Sequence, residues 1–157
     1  MGDGQPIATG QGRVLSLIEL RNGDLISGGD DGSLRRWRNG QPLGDRIETG
    51  QGGVVSLFEL DNGELVSAGE DGSLRRWRNG QPLGDRIEMG QALVWAVINL
   101  PNGELISGDH DGTLVWLSAD RMIANACQYE LPELLRAPQT MDDQTASSLC
   151  RKMGVLR

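Results

Sequence analysis

Residues that could perform chemistry are few and scattered in this sequence. His110 is the single histidine, and Cys127 and Cys150 are the only two cysteines, so no His/Cys cluster has the spacing of a metal site. No nucleophile lies in the elbow or triad context that acyl-transfer enzymes need. The sequence therefore predicts a protein that is not an enzyme and that holds no metal and no cofactor.

Acidic groups and glycine-rich stretches are the remaining candidates for ligand binding. The acids at 30–31, 70–71 and 109–111 suggest calcium, but one member of each group has a structural role described below, and calcium is not favoured. The glycines at 10–12 and 50–53 lack Walker spacing, and no helix N-terminus follows them to bind a phosphate. We interpret these stretches as turns.

The overall composition argues against two kinds of partner. The chain has 157 residues, of which 38% are hydrophobic and 24% charged, as in a soluble globular protein of one domain with an appendage. A net charge of −7 predicts no binding to nucleic acid. No run approaches the roughly 18 apolar residues of a membrane span, and no signal peptide begins the sequence. We expect a reduced, cytoplasmic protein that does not bind membranes.

A repeat of 40 residues organises about three quarters of the chain. Residues 31–48 and 71–88 have the same eighteen letters, DGSLRRWRNGQPLGDRIE. Three units follow one another at about 4–39, 40–79 and 80–117, and residues 118–157 have a different character. The units predict three copies of one small structural element.

Each unit predicts four short antiparallel strands. In the second unit the strands are expected at 54–60, 64–69, 73–78 and 81–88. Asn62-Gly63 is the dipeptide that favours a type I′ hairpin turn, and Pro82 favours the outer edge of a sheet. Four antiparallel strands in 40 residues describe one blade of a β-propeller. The predicted fold is therefore all-β, with three four-stranded blades over 1–117 and a small α-helical tail.

The order of motifs in each unit resembles the WD40 repeat: a Gly-X pair, an apolar strand, Asn-Gly, S-x-G-x-D-G-[ST]-L and then Trp. In that family a hydrogen-bonded set pins each blade, made of a His before the first strand, a Ser or Thr on the second, an Asp in the next turn and a Trp on the third. This sequence has Gln where the family has His. The implied set is Gln11, Ser27, Asp31 and Trp37 in the first unit, Gln51, Ser67, Asp71 and Trp77 in the second, and Gln91, Ser107 and Asp111 in the third.

The third unit departs from the pattern because it reads TLVWL where the others read SLRRW. Leu117 stands at the Trp position and Trp116 comes one residue early. Side chains alternate between the two faces of a strand, so Trp116 is expected on the opposite face. The pinning set of the third blade is therefore predicted to be incomplete.

The resemblance also implies a partner-binding rim at the start of the first strand and in the turn after the second. The candidates are Arg13, Leu15, Asp30, Val55, Glu70, Leu93, Trp95 and His110. An exposed aromatic such as Trp95 is a good anchor for a partner. The alternative is that Trp95 and Leu15 pack between the first strands.

Three arginines flank the tryptophan in each of the first two units. We expect them to form mainly solvated salt bridges with acids of the outer strand, each worth about 0–1 kcal/mol. The arginines are Arg35, Arg36 and Arg38 with Arg75, Arg76 and Arg78, and the acids are Asp45, Glu48, Asp85 and Glu88.

Three blades would leave two apolar faces bare, whereas closed propellers have about four to eight blades. Residues 5–9 align with 41–49 and predict an outer strand without its own blade, and the third unit lacks a fourth strand. We predict that strand 5–9 completes the third blade of a neighbouring chain, with a dimer favoured over a trimer. The alternative is that the chain is the C-terminal remnant of a longer multidomain WD-repeat protein with an upstream effector domain.

Residues 118–157 predict a helical hairpin, which resembles the tail that follows bacterial WD-repeat arrays. Cys127 and Cys150 could pair as a redox latch or could be two small core residues between the helices.

The sequence as a whole predicts a non-catalytic scaffold for protein–protein interaction. It would self-assemble into a closed ring and bind a further protein that the sequence does not identify. The alternative function is binding of a small molecule or glycan in the central pocket of the ring.

Overall fold

The computed structural model describes residues 4–90 and 93–118, and the regular structure in these ranges is entirely β-strand. The first sheet contains β1 (Val14–Glu19), β2 (Leu25–Gly29), β3 (Ser33–Arg38), β4 (Gln41–Pro42) and β5 (Ile47–Glu48). The second contains β6 (Val54–Glu59), β7 (Leu65–Gly69), β8 (Ser73–Arg78) and β9 (Gln81–Glu88). The third contains β10 (Val94–Asn99), β11 (Leu105–Asp109) and β12 (Leu114–Leu117).

Neighbouring strands pair antiparallel in all three sheets, which confirms the expected all-β fold. The predicted helical hairpin, Cys127 and Cys150 lie outside the described residues. The boundaries proposed for the three units stay a prediction.

The outer strand has the same sequence in the first two sheets but a different extent. Residues 41–48 form the two short strands β4 and β5, which both pair with β3, whereas residues 81–88 form the single strand β9. A glycine with positive φ, Gly44 or Gly84, interrupts the regular pairing in each case. Pro82 lies on β9, at the edge of its sheet, where its missing N–H costs no ladder bond.

The hairpin at Asn62-Gly63 is not the type I′ turn that the dipeptide predicts. Gly63 has a φ of +82°, but Asn62 is not in the left-handed region. The Asn62 side chain accepts a hydrogen bond from the backbone N–H of Glu64 at 3.1 Å. This local bond favours a three-residue loop at 61–63 whose last residue, Gly63, is in the left-handed region. A type I′ geometry occurs instead at Asn79-Gly80, where both φ values are positive.

The three sheets are stacked through their first strands. The Ser16 hydroxyl of β1 donates to the Val54 carbonyl of β6 at 2.8 Å, and the Ser56 hydroxyl of β6 donates to the Val97 carbonyl of β10 at 3.1 Å. The second sheet therefore has a neighbour on each of its two faces.

Two apolar layers fill the spaces between the sheets. The first apolar layer, between the first and second sheets, contains buried Ile26, Leu34, Val54, Leu57 and Trp77. The second apolar layer, between the second and third sheets, contains buried Val66, Ala68, Leu74, Ile87, Met89, Val94, Val97, Leu105 and Leu117. Strand β6 contributes to both layers. Its Val54 and Leu57 are buried in the first apolar layer, and its Val55 and Phe58 pack against the second. This explains its almost unbroken apolar sequence.

The close approach of the first two sheets at Gly28 gives a testable prediction. A Cβ added there would stand 2.9 Å from the Cβ of Val54 and would also strike the Ser16 hydroxyl. We expect Gly28→Ala to lower the free energy of unfolding by about 1–3 kcal/mol, because overpacking forces neighbours to move. The equivalent Gly108→Ala is the control, since its Cβ would meet the Leu114 side chain at an ordinary 3.5 Å. Equal denaturation midpoints for the two variants would contradict this packing.

Candidate functional site

A chain of buried hydrogen bonds fastens the loop before β1 to the rest of the first sheet. The Trp37 indole donates to the Ser27 hydroxyl at 2.8 Å, and that hydroxyl donates to the Gln11 side-chain oxygen at 2.5 Å. The Gln11 amide nitrogen donates to the Ser33 carbonyl and hydroxyl at 2.9 and 3.1 Å. The Ser33 hydroxyl donates onward to Asp31 at 2.7 Å. The same set recurs in the second sheet among Gln51, Ser67, Asp71, Ser73 and Trp77.

The two aspartates of these sets are partly exposed. The Asp31 side chain is 27% exposed and forms an ion pair with Arg46 at 2.8 Å, and Asp71 forms the equivalent pair with Arg86. Each aspartate reaches the glutamine through a serine, Ser33 or Ser73, that sequence reasoning missed. The signal was available, because both serines occupy the Ser/Thr position of the repeated motif.

Glutamine suits the centre of such a set because its amide donates and accepts without a change of charge. Gln11 and Gln51 are fully buried, and both ends of each amide have partners. Gln91, which sequence reasoning places in the third set, lies outside the described residues.

In the third sheet a leucine takes the place of the tryptophan. Leu117 pairs with Leu105 across β11 and β12, as Trp37 pairs with Leu25 in the first sheet, and Leu117 is 1% exposed. Trp116 is 59% exposed. The predicted shift of Trp116 to the opposite face is confirmed.

The turn of the third sheet uses a different aspartate from the predicted one. Asp109 accepts hydrogen bonds from the Thr113 hydroxyl at 2.5 Å and from the Thr113 amide at 2.8 Å. Asp111, assigned to the pinning set from the sequence, has a side chain that is 82% exposed. The reason is local, because Asp109 replaces the glycine found at 29 and 69 and presents a carboxylate closer to Thr113.

The arginines beside the tryptophans do not all form the solvated edge pairs that were expected. Asp24 is 1% exposed and binds two of them, Arg38 through Nε at 2.6 Å and Arg36 through Nε at 2.7 Å. Glu64 is fully buried and binds Arg76 and Arg78 in the same manner. The two arginines of each pair lie on one face of the strand because they are two residues apart.

The remaining arginine of each triplet lies over the tryptophan. The Arg35 guanidinium is 5.7 Å from the centre of the Trp37 ring, and that of Arg75 is 5.6 Å from Trp77. Each also donates to a threonine carbonyl, that of Thr9 at 2.9 Å for Arg35 and that of Thr49 at 2.7 Å for Arg75. Arg75 therefore joins the residue that follows β5 to the second sheet, and Arg35 holds Thr9 on the first sheet.

The third sheet keeps the acid of this arrangement without its arginines. Glu104 occupies the repeat position of Asp24 and Glu64, and it accepts a hydrogen bond from Asn102 at 3.0 Å. Trp116 stands where the first two sheets have Arg36 and Arg76. Among the residues that the structure describes, no basic side chain pairs with Glu104.

The candidates for the partner-binding rim lie in pairs at one end of the sheets. Arg13 binds Asp30 through its side chain at 2.8 Å and through its amide at 3.1 Å, and this hydrogen bonding lowers the pKa of Asp30. The pKa of Arg13 is raised mainly by its hydrogen bond to Asp30, and the charge of Glu70 adds a smaller effect in the same direction. Exposed His110 donates its amide to the Leu93 carbonyl at 3.3 Å.

Two other rim candidates are half-buried. Leu15 lies on β1, and Val55 packs against the second apolar layer. The structure thus places Val55 within the packing between sheets.

The first sheet has an apolar face turned away from the second sheet. Val14, Leu17 and Leu25 on this face are 45%, 59% and 39% exposed. The residues at the same repeat positions of the second sheet, Val54 and Leu57, are buried in the first apolar layer. We call the surface formed by Val14, Leu17 and Leu25 the first outer face.

The third sheet has a corresponding face turned away from the second sheet. Val55, Phe58 and Leu74 of the second sheet pack into the second apolar layer, and their repeat equivalents in the third sheet are Trp95, Ile98 and Leu114. These residues lie between 54% and 62% exposed, and Trp116 shares the face of Leu114 on β12. We call the surface of Trp95, Ile98, Leu114 and Trp116 the third outer face. Trp95, a rim candidate, belongs to it.

Within the described ranges, no group of three His, Cys, Asp or Glu residues is arranged to hold a metal ion. The same ranges contain no helix that is long and apolar enough to cross a bilayer.

Solved structures with a similar arrangement of strands include WD40 propellers. The WD40 β-propeller domain of Doa1 is 28% identical over 69% of this chain, with a TM-score of 0.58. A chain of the Mitotic Checkpoint Complex is 21% identical over 69%, with a TM-score of 0.57. The computationally designed protein Ika4 is 24% identical over 73%, with a TM-score of 0.50. No family model and no curated protein matches the sequence.

The share of each neighbour that is matched differs. This chain spans 38% of the Doa1 chain and 38% of the checkpoint chain, but 98% of the Ika4 chain. The predicted resemblance to WD40 repeats is confirmed: the described strands are similar in fold to WD40 β-propeller domains, and they span less than half of the two natural chains.

The glutamine sets give a second prediction. Gln51→Leu removes the amide, so the buried Ser67 hydroxyl loses its acceptor and the Ser73 carbonyl and hydroxyl lose a donor. We expect this variant to lose about 1–3 kcal/mol for each unsatisfied group, measured by chemical denaturation. Gln51→His is the matched control, because imidazole keeps one donor and one acceptor, and it should lose less. Equal stability of Gln51→Leu and the unmodified chain would contradict the role of the set.

The pairing of Asp24 gives a third prediction, which concerns pH. Hydrogen bonds from Arg38 and then from Arg36 outweigh the effect of burial and lower the pKa of Asp24 to about 2 from 3.8. The folded state thus binds the Asp24 proton more weakly than the unfolded state, so this stabilisation is complete above pH 4 and is lost as pH falls toward 2.

Asp24→Asn should therefore be destabilised at pH 7, and the difference from the unmodified chain should shrink as the pH falls from 4 to 2. Glu104→Gln is the control, since Glu104 has the same repeat position and no arginine partner in the described ranges. Thermal unfolding across this pH range would measure the effect. A constant difference between Asp24→Asn and the unmodified chain would rule out the Asp24 contribution.

Proposed function

We propose that this chain is a non-catalytic scaffold for protein–protein interaction that works as a closed ring of two copies. The observation that carries the proposal is the pair of exposed outer faces. Their residues stand at repeat positions that are packed between neighbouring sheets inside the chain. The WD40 fold adds support, because propellers of this type typically present binding surfaces rather than catalytic groups. That part of the argument is an analogy with other proteins.

The two outer faces are complementary because they are the two halves of a repeated junction. At the first apolar layer, Leu34 of the first sheet and Leu57 of the second are buried together. Leu114 is the repeat equivalent of Leu34, and Leu17 is that of Leu57. The third outer face of one copy would therefore fit the first outer face of another copy as one sheet fits the next within the chain.

Burial of these faces supplies a driving force. A fully buried large apolar side chain contributes about 1.5–3 kcal/mol, and seven apolar or aromatic side chains from the two faces would be covered at each junction. Exposed apolar patches of this kind mark interaction surfaces on soluble proteins. Trp95 and Trp116 are then anchors for the second copy.

Copies joined through two different faces form a closed ring only if the rotation from one copy to the next is a whole fraction of a full turn. Each copy contributes three sheets, so two copies make six and three copies make nine. Closed propellers have about four to eight blades, which favours two copies. The Ika4 match supports the size of the unit, since it spans 98% of that chain and 73% of this one.

The charged rim is the surface that such a ring leaves for a further protein. Asp30 and Arg13 are joined in an ion pair, whereas Glu70 accepts a bond from the Gly53 amide at 3.3 Å and His110 is exposed. A ring would present two copies of this rim at the same end. Charged rims of this kind determine which partner docks and how fast.

The ring gives a fourth prediction. Leu17→Asp damages the first outer face and Leu114→Asp the third, so each variant alone should have the mass of one chain by light scattering, whereas the unmodified chain should have the mass of two. When the two variants are mixed, each retains the face that the other lacks. The mixture should therefore recover a species of two chains through one intact junction.

The control is Asn102→Asp, which lies in the hairpin between β10 and β11 and on neither outer face, and which should leave the two-chain mass unchanged. A folded, unmodified chain with the mass of one chain would overturn the ring. In that case the outer faces are covered by another part of the polypeptide, by upstream repeats or by a different protein. Failure of the mixture to associate would overturn the pairing of the first outer face with the third.

A further inference from the structure

We infer that residues 5–9 of each copy form the outer strand of the third sheet of the other copy, with Ile7 opposite Leu114 and Ala8 opposite Thr113. This inference rests on the proposed ring and specifies the segment that closes it.

Residues 7–11 are held on the first sheet in the same way as residues 47–51 on the second. The Thr9 carbonyl accepts from Arg35 at 2.9 Å, as that of Thr49 accepts from Arg75 at 2.7 Å. The Thr9 hydroxyl accepts a hydrogen bond from the backbone N–H of Gln11 at 3.3 Å. The Thr49 hydroxyl accepts one from the backbone N–H of Gln51 at 3.2 Å. Two independent contacts thus place the two segments in equivalent positions.

A third contact extends the equivalence to the isoleucines. The Ile7 side chain lies 3.2 Å from the place that a Cβ of Gly40 would occupy, and the Ile47 side chain lies 3.3 Å from the corresponding place at Gly80. Ile7 therefore packs on the β3–β4 turn of the first sheet as Ile47 packs on the β8–β9 turn of the second.

The segment at 47–51 has a second set of partners, in the sheet that precedes the one it packs on. Ile47 pairs with Leu34 and Glu48 with Ser33, as strand β5. The Thr49 amide and hydroxyl both donate to the Gly32 carbonyl, at 3.0 and 2.7 Å. The segment thus joins two consecutive sheets.

Residues 5–9 pack on the first sheet without forming a strand, since no sheet of the described chain precedes it. At the other end, β12 pairs with β11 and with no further strand among the described residues. Ile7 is 54% exposed and Leu114 62%. Transfer of the β5 register to the second copy sets Ile7 opposite Leu114, Ala8 opposite Thr113, and the Thr9 amide at the Gly112 carbonyl.

Main-chain bonds of this kind are the usual basis of strand addition to an exposed sheet edge. The junction would then have two components. One is the contact between the outer faces, and the other is a strand of one copy, residues 5–9, that pairs with β12 of the other copy. Because each copy donates one strand and accepts one, two copies leave no third sheet without its outer strand.

Engineered disulfides test the pairing directly. Directly opposite residues in antiparallel strands have Cβ atoms about 4.5–5.5 Å apart, closest in pairs without mutual hydrogen bonds, which suits a disulfide after small adjustment. Ala8→Cys and Thr113→Cys are introduced together in the full chain, with Cys127→Ser and Cys150→Ser in the background. Oxidation should give a product of two covalently joined chains on a non-reducing gel, and no larger product even at completion.

The control pairs Ala8→Cys with Asn102→Cys, because the Asn102 hairpin lies at the opposite end of β11 from Thr113, and it should give little cross-linking. Light scattering on the reduced proteins tests the two-copy ring separately from the exchange of strand 5–9. A two-chain mass without the 8–113 cross-link overturns the strand exchange and leaves the ring, whereas a one-chain mass overturns both. A ladder of products with three or more chains supports the strand exchange and overturns closure at two copies.

Discussion

A thin sheet with apolar side chains on both faces has to be covered on both faces, and this requirement governs the rest of the structure. The second sheet satisfies it within the chain, because the first and third sheets bury Val54 and Leu57 on one side and Val66 and Leu74 on the other. The first and third sheets each satisfy it on one side. The first and third sheets therefore each keep one exposed outer face, and the proposed ring of two copies would cover both.

Buried polar groups join the strands within a sheet, whereas the apolar layers join one sheet to the next. In the first two sheets the tryptophan, serine and glutamine form one continuous chain of hydrogen bonds, and a buried acid holds two arginines on the same strand. The third sheet has an aliphatic residue at the tryptophan position and no arginine on Glu104 in the described ranges. Its two tryptophans, Trp95 and Trp116, are more than half exposed, which fits a contact with another surface.

Much of the fold could be predicted from the sequence because the repeat places three copies of each position side by side. The strands and the displacement of Trp116 were accessible by this alignment, and the contact of Gln11 with Ser27 was implied by the resemblance to WD40 repeats. The burial of Asp24 was not, because an acid after Asn-Gly looks like a solvated turn residue. A comparison of Asp24, Glu64 and Glu104 with the arginines two residues apart on the third strand could have revealed it. The relay through Ser33 was missed because the set implied by the resemblance assigns no role to the first residue of the third strand.

The identity of residues 31–48 and 71–88 has a consequence for how the chain finds its fold. Strand β2 is followed by a three-residue connection to β3, but β8 has the same sequence as β3 and lies 43 residues beyond the end of β2. The side chains of β3 and β8 cannot tell β2 which of them to choose, so loop entropy makes the choice. Going from three residues to 43 is nearly four doublings of loop length, which costs about 2 kcal/mol. Connectivity therefore selects the correct sheet by a factor of about 30 while the chain folds, and the differences between β1, β6 and β10 must supply the rest of the selection.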